Sequence, residues 1–165
     1  MAVAILIGLW INDELSFDKN HKNYGEIAQL RYTNYDKSSN TIGGSDGVPI
    51  PMGDALKNEY KQNFKHILMA WWISDFTLSS GDNKITTKGE FIEPEVIDML
   101  SLNMLSGSNK SLADPHSMIL SQSKAIAIFG NENPIDKSLK IDNSIEVKVT
   151  GIYEDLPINS KFGEV

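Results

Sequence analysis

The first ten residues, MAVAILIGLW, are uncharged and mostly apolar. A membrane-spanning helix needs about 20 such residues, so this run cannot cross a bilayer alone. A signal peptide is not indicated either, because no basic region precedes the run and INDE follows it in place of a cleavage site. The pattern fits two structures: the outer end of a transmembrane helix that begins before this sequence, or an N-terminal helix of the core. Periodicity does not distinguish them.

The residues after this run predict a stalk, a strand and a loop. Residues 12–14 are polar, and the apolar residues Leu15, Phe17 and Tyr24 then alternate with polar ones. This amphipathic pattern predicts a helix that ends near Gly25. Residues 27–35 alternate apolar and polar side chains with the period of a half-buried strand. Residues 37–47 are rich in Ser, Asn and Gly, lack periodicity and predict a mobile loop.

A second helix is predicted to begin at the VPIP segment, residues 48–51, since proline favours the first helical turn. Residues 68–79 predict a strand with large apolar side chains on both faces, and a turn at residues 80–83 predicts that residues 84–87 pair back on it. The second helix also carries apolar positions at three- and four-residue spacing, which predict a core-facing stripe. The stripe consists of Met52, Leu56, Tyr60, Phe64 and Ile67.

The second half of the chain mixes short strands with helices. A short strand from Gly89 precedes a helix over about residues 94–100, and residues 117–120 predict another strand. Ser121 is expected to cap a helix that runs through Phe129 and stops at Gly130. Residues 139–141 and 145–153 predict a hairpin over the turn at residues 142–144. The whole pattern predicts an α+β fold.

Composition narrows the class of protein. The 165 residues suffice for one domain or two small lobes, and 41% hydrophobic residues indicate a packed body. The net charge of −7 argues against nucleic acid as a partner. With no cysteine, disulfides, thiolate metal sites and cysteine nucleophiles are excluded.

Catalytic and cofactor motifs are weak. The acidic residues Glu90, Glu93, Glu95 and Asp98 cluster in sequence, but Glu95 and Asp98 would lie near a helix N-terminus, where capping and solvation explain them better than acid/base catalysis. Phosphate-binding glycine loops are not found. We expect no catalytic residues, no cofactor and no metal. The other residues considered lack metal or nucleophile spacing: His21, His66, His116, Ser121 and Ser123.

Two adjacent tryptophans, Trp71 and Trp72, point to opposite faces if they lie on a strand. Core packing is the expected role of both. Because one of them could instead face solvent, they are also the candidates for binding a partner protein.

Several segments together resemble the MacB-like periplasmic core domain of ABC transporter permeases, of the MacB/FtsX-like type found in Bacteroidetes-type bacteria. Towards the N-terminus these are DELSFD at residues 13–18 followed by His21, and LRY at residues 30–32. Further along they are LADP at 112–115, SMILS at 117–121, AIAIFG at 125–130, ENPI at 132–135 followed by Lys137, and VTGIYEDLPINS at 149–160. The resemblance covers nearly the whole chain.

The resemblance implies a two-lobed fold: a stalk over residues 1–26, a membrane-proximal lobe over 27–83, a second lobe over 84–160 and a truncated connection at 161–165. In the family the domain continues past the position of Ser160 to a second membrane helix. We therefore expect the membrane-proximal lobe to be incomplete. Because the stalk begins in the middle of a helix, we also expect that Met1 does not mark the native start.

The function implied is that of a non-enzymatic extracytoplasmic domain of a permease in the bacterial inner membrane. It would relay conformational change, or bind substrates or partner proteins, during efflux, other export or lipoprotein release, or in cell division. The implied partners are a cytoplasmic ABC ATPase, a second permease copy, a periplasmic protein and the membrane through the parent chain. An extracytoplasmic ligand-sensing domain of a membrane receptor is the alternative, and a hydrolase comes third.

Overall fold

The computed structural model describes residues 2–162, which contain four α-helices and eight strands. The helices are α1 (Ala2–Ser16), α2 (Ile50–Glu59), α3 (Val96–Met99) and α4 (Gln122–Phe129). The strands are β1 (Tyr32–Asp36), β2 (Thr41–Ser45), β3 (Ser74–Ser80), β4 (Asn83–Gly89), β5 (Met104–Ser106), β6 (Ser117–Ser121), β7 (Ser138–Ile141) and β8 (Ile145–Tyr153). The predicted α+β class is confirmed.

Six strands form one sheet in the order β4-β3-β7-β8-β5, with β6 also paired to β8. Strand β8 is central. At Lys148 it pairs with both β7 and β6, and at Tyr153 it pairs with both β5 and β6. Strand β6 therefore lies on one edge of β8, and β5 and β7 lie on the other edge. Only the β6–β8 pair is parallel; the other pairs of this sheet are antiparallel.

The main core lies between this sheet and α4. Leu139 of β7, Val149 of β8 and Ile128 of α4 are each at most 1% exposed. A second cluster gathers around Val96, Ile97 and Leu100, at α3 and just after it. Alternating buried positions along β7 and β8 produce the first cluster because every second side chain of a strand faces the same side.

The predicted helix 121–129 and the hairpin 139–153 match α4 and β7–β8. Gly130 ends α4 with φ of 60°, a region that favours glycine. Ser121 occupies the N-cap position, but the expected side-chain cap is wrong. Asp155 replaces it by accepting hydrogen bonds from the Ser123 backbone N–H at 3.1 Å and hydroxyl at 2.8 Å. Burial alone would raise the pKa of Asp155, but these hydrogen bonds hold it below its ordinary value.

The first helix is shorter than predicted. It ends at Ser16 instead of near Gly25, because the chain turns at Asp18, whose φ is 59°. Its apolar side chains are exposed, from 45% at Ile11 to 69% at Val3, so the core-helix alternative is wrong. Within residues 2–162, no helix combines the length and the apolar character that crossing a bilayer requires.

The predicted loop at 37–47 is partly a strand. β1 and β2 pair antiparallel from Tyr32–Ser45 to Asp36–Thr41, and every residue in both strands is exposed, against the expected half-buried strand over 27–35. The turn is organised by Asp36, which accepts hydrogen bonds from Ser38 and Ser39. These bonds lower the pKa of Asp36 to about 2.

The core-facing apolar stripe predicted on the second helix is wrong in its second half. α2 stops at Glu59, a 3-10 turn follows at Lys61–Asn63, and Tyr60 and Phe64 are about half exposed. The strand expected over 68–79 begins only at Ser74, although Ala70 forms an isolated bridge with Ile92.

The division into lobes at 83/84 stays a prediction. That boundary falls within the β3–β4 hairpin, and both strands belong to the six-stranded sheet. Of the predicted connection at 161–165, residues 163–165 lie outside the described residues, as does Met1.

Candidate functional site

A polar junction lies where the segment after α1 meets two distant parts of the chain. We call it the His21 junction and define it by Ser16, Asp18, His21, Lys22, Asn23, the α3 end at residues 98–101, and Asn159, Ser160 and Lys161. The sequence separations of these contacts run from 75 to 143 residues.

Asn159 and Ser160 fasten the end of α1. The Asn159 side-chain amide donates to the Ser16 hydroxyl at 2.8 Å, and the Asp18 backbone N–H donates to the Asn159 carbonyl at 2.9 Å. The Asp18 carboxylate accepts from the Ser160 hydroxyl at 2.9 Å and from the Lys161 backbone N–H at 2.8 Å. The end of the helix is thus bonded through both backbone and side chains.

His21 occupies the centre of the junction and is 5% exposed. Its Nδ1 lies 2.8 Å from the Leu100 carbonyl oxygen. Because a carbonyl can only accept, Nδ1 carries the proton of this bond. Its Nε2 lies 3.3 Å from the Ser160 hydroxyl, and the ring meets Phe162 edge-on with centroids 6.4 Å apart. The ring therefore links α3 to the segment that follows β8.

The last turn of α3 receives further donors. Carbonyls at a helix C-terminus have no partner within the helix. The Asn23 side-chain amide donates to the carbonyls of Asp98 at 3.1 Å and Met99 at 3.0 Å. The Lys22 backbone N–H donates to the Ser101 hydroxyl at 2.9 Å. The segment after α1 therefore caps a helix about 75 residues away.

Ser160 and His21 resemble a nucleophile and base, but their surroundings differ from those of a hydrolase. Ser160 is only 6% exposed, so a substrate carbonyl has no approach to its hydroxyl. The carboxylate of Asp18 bonds to Ser160, while a backbone carbonyl holds His21 Nδ1 in the place where a triad has its acid. The arrangement suits a rigid structural connection.

The clustered carboxylates do not converge. Both carboxylate oxygens of Glu93 accept hydrogen bonds from the Lys57 ammonium group at 2.6 Å, and Oε2 also accepts one from the Met69 backbone N–H at 2.7 Å. These bonds connect α2 to the segment before β3. Glu95 makes no side-chain cap, and its buried Oε2 has no partner within the described residues, so the capping role expected for it is wrong. Asp98 is exposed at α3.

The other residues singled out from the sequence lie apart. His66 and His116 are far from His21 in the chain and share no bond with it; His116 is exposed beside Asp114. In the part of the chain that the structure describes, no cluster of three or more metal-ligating side chains occurs. Ser123 is bonded to Asp155.

Trp71 and Trp72 precede β3 instead of lying in a strand, and both are exposed, by 60% and 55%. Core packing was therefore the wrong expectation for them. The Trp71 backbone N–H donates to the Phe91 carbonyl at 2.8 Å, and the Trp72 ring lies so close to Gly47 that an added Cβ there would be 3.0 Å away. Their backbone is held while their side chains stay accessible.

Sequence comparison identifies one family. The family of MacB-like periplasmic core domains matches residues 1–164. Comparison with curated protein sequences gives no match.

Three solved structures share the fold, each at 19% identity. A domain of a putative permease protein from Porphyromonas gingivalis has a TM-score of 0.60, with 79% of this chain and 57% of that one covered. The periplasmic region of MacB from Actinobacillus actinomycetemcomitans gives 0.54, with 76% and 59% covered. The extracellular domain of the noncanonic ABC-type transporter YknZ from Gram-positive bacteria gives 0.52, with 64% and 56% covered. The chain thus matches under two thirds of each structure.

Proposed function

Because the chain belongs to the family of MacB-like periplasmic core domains, which are domains of ABC-transporter-type permeases, we propose that it relays motion outside the membrane and is not an enzyme. In this proposal α1 lies next to the bilayer, and the His21 junction passes its displacement to the six-stranded body. The motion would originate in a cytoplasmic ATPase that partners the permease. Efflux, another kind of export and lipoprotein release are all compatible with such a relay.

One observation carries the proposal: within residues 2–162, α1 packs on no other helix or strand, yet its end is bonded to Asn159, Ser160 and Lys161. Within residues 2–162, a displacement of α1 can therefore reach the body only through the junction and the chain that continues from it. Coupling between distant sites requires a contiguous, stiff connection. The mutually bonded polar groups of the junction, of which His21 and Ser160 are buried, supply that stiffness in place of the continuous helix predicted to end near Gly25.

The experiment follows the body relative to the membrane in the full-length permease, reconstituted with its ATPase in lipid vesicles. A fluorophore is attached at Asn131→Cys, an exposed position after α4; this chain has no other cysteine, and any cysteines elsewhere in the full-length permease and its ATPase are first replaced. Energy transfer to acceptor lipids reports the height of the body. We expect ATP with vanadate to change the transfer in the parent protein. Combining Asp18→Ala with Asn159→Ala should abolish that change while ATP hydrolysis continues.

The matched control is Asn20→Ala with Asn58→Ala, two exposed positions outside the junction. It should leave the nucleotide-dependent change intact. A change of normal size in the Asp18 and Asn159 double variant would mean that the body is a passive docking surface. A receptor-type sensor would instead show no nucleotide-dependent displacement in any variant.

We further propose that Trp71 and Trp72 contact another polypeptide of the assembled permease. Aromatic side chains that are both large and exposed are enriched at protein interfaces. Their emission is obtained as the difference between the parent protein and its Trp71→Phe, Trp72→Phe variant, and it should shift to the blue and resist iodide quenching in the assembled permease, relative to this chain alone. Unchanged emission and quenching would remove them from the interface.

A further inference from the structure

A cavity of about 550 Å³ is lined mainly by side chains of the six-stranded sheet and of the segment 89–102. Pockets that hold drug-sized ligands measure about 300–1,000 Å³. The sheet contributes Leu78, Ile141 and Val147 to the lining, and the segment 89–102 contributes Val96 and Leu100. Residues of both apolar clusters therefore line the cavity.

The walls are preformed. Leu78 and Ile141 lie opposite each other on paired strands, and Val147 lies opposite Leu139 in the β7–β8 hairpin. Protein interiors normally contain few voids larger than a water molecule. An apolar molecule bound here would therefore contact strands whose backbones are already hydrogen-bonded to one another.

One carboxyl group at the cavity is poorly compensated. Glu90 is partly buried, and its carboxyl makes no hydrogen bond or ion pair with any residue from 2 to 162. Burial raises its pKa, and the positive charge of Lys161 only partly opposes this. A buried carboxylate that is not paired is unfavourable unless another cation approaches.

The other charged groups that line the cavity are Lys88, Glu93, Asp114 and Lys124. Glu93 is bonded to Lys57, Asp114 accepts from the His116 backbone N–H at 2.7 Å, and Lys124 acts on Asp155. Lys88 also takes part in a polar or electrostatic interaction. Glu90 is therefore the lining carboxylate that offers its charge to a ligand.

We propose that this cavity binds a small apolar molecule with a cationic amine, the apolar body lying against the apolar lining side chains and the amine meeting Glu90. Apolar walls favour the body because contact with water is lost on binding. The amine gives Glu90 the counter-charge it lacks, and the net charge of −7 attracts cations generally. The cavity shares Leu100 with the His21 junction, and Lys161 of the junction acts on Glu90, but binding of a ligand here does not require α1 to move.

The test uses the 165-residue chain and three probes of matched shape: 4-phenylbutylamine, 4-phenylbutan-1-ol and 4-phenylbutyrate. Methyl NMR shifts of Leu78, Leu100 and Val147 report binding in the cavity, and those of Leu6 and Leu9 report adsorption to exposed α1. We expect the amine to bind about tenfold more tightly than the alcohol, since a charge-assisted contact is stronger than a neutral one. Glu90→Gln should remove this ratio and leave alcohol binding unchanged.

Cavity-filling variants test the location. Val147→Phe and Val96→Phe each enlarge a lining side chain, one from each apolar cluster, and should each abolish binding of amine and alcohol, whereas Ile126→Phe, on the exposed side of α4, should change neither. Folding of each variant is checked by its methyl spectrum, and one folded cavity variant suffices. The proposal is overturned if no probe shifts the cavity methyl groups, if 4-phenylbutyrate binds best, or if a folded filled variant binds like the parent. None of these results bears on the relay.

Discussion

Replacing His21 by alanine should destabilise the protein because the imidazole joins three segments of the chain. The change removes the donor to the Leu100 carbonyl and the contact with Ser160. A buried polar group left without a partner costs about 1–3 kcal/mol. The edge contact with Phe162 adds about 0.5–1.5 kcal/mol. We expect a total loss of about 2–4 kcal/mol in the free energy of unfolding.

Urea unfolding followed by circular dichroism measures this loss, and a thermal scan should show a Tm lower by roughly 4–16 °C for a chain of this size. His116→Ala is the matched control, since the His116 side chain is 78% exposed, and it should change stability by no more than about 0.5 kcal/mol. His21→Asn, whose amide can donate to Leu100, should recover part of the loss. Equal stability of the His21→Ala and His116→Ala variants would refute the junction.

Three further predictions concern the body. Leu139→Ala, at a side chain 1% exposed, should cost about 2–5 kcal/mol in urea unfolding, whereas Ile126→Ala, 56% exposed, should cost little. Gly107→Ala should destabilise more than Gly81→Ala: both have positive φ, but only at Gly107 would the new Cβ meet backbone, 2.6 Å from the Thr150 carbonyl oxygen. Because the folded pKa of Asp155 lies below its ordinary value, its stabilisation is present above about pH 4 and is lost as pH falls through the folded pKa; the stability gap to Asp155→Asn should close accordingly.

Local signals predicted the second half of the chain well. Gly130 stops α4, and Asp142 and Asn143 take the positive φ values that a tight hairpin turn needs, so short-range chemistry determined these elements. Near the N-terminus, composition misled: a Gly- and Ser-rich stretch was predicted as a loop, yet Thr41–Ser45 pairs with β1. Strand β2 is held by backbone hydrogen bonds to β1, and the pattern of its side chains gives no indication of those bonds.

The site was not predictable from spacing. Asp18 and Ser160 are 142 residues apart, and Ser16 and Asn159 are 143 apart, so no local motif contains both partners. The side-chain cap predicted at Ser121 was wrong for the same reason. The group that accepts the hydrogen bond from the first turn of α4 is Asp155, which lies 32 residues after Ser123 in the chain. The segments that carry the family resemblance, 13–18 with His21 and 149–160, do meet at the junction, and that was the available signal.

The central claim, that α1 and the body move as one piece, is tested most directly by a distance between them. Spin labels are attached at Leu9→Cys in α1 and Asn131→Cys in the body; this chain has no other cysteine, and any cysteines elsewhere in the permease and its ATPase are first replaced. Electron double resonance on the full-length permease, in nanodiscs with its ATPase, measures this distance without nucleotide and after vanadate trapping. The account predicts one narrow distribution with the same mean in both states, broadened when Asp18 and Asn159 are both changed to Ala. A mean that shifts between the two nucleotide states in the parent protein would contradict it.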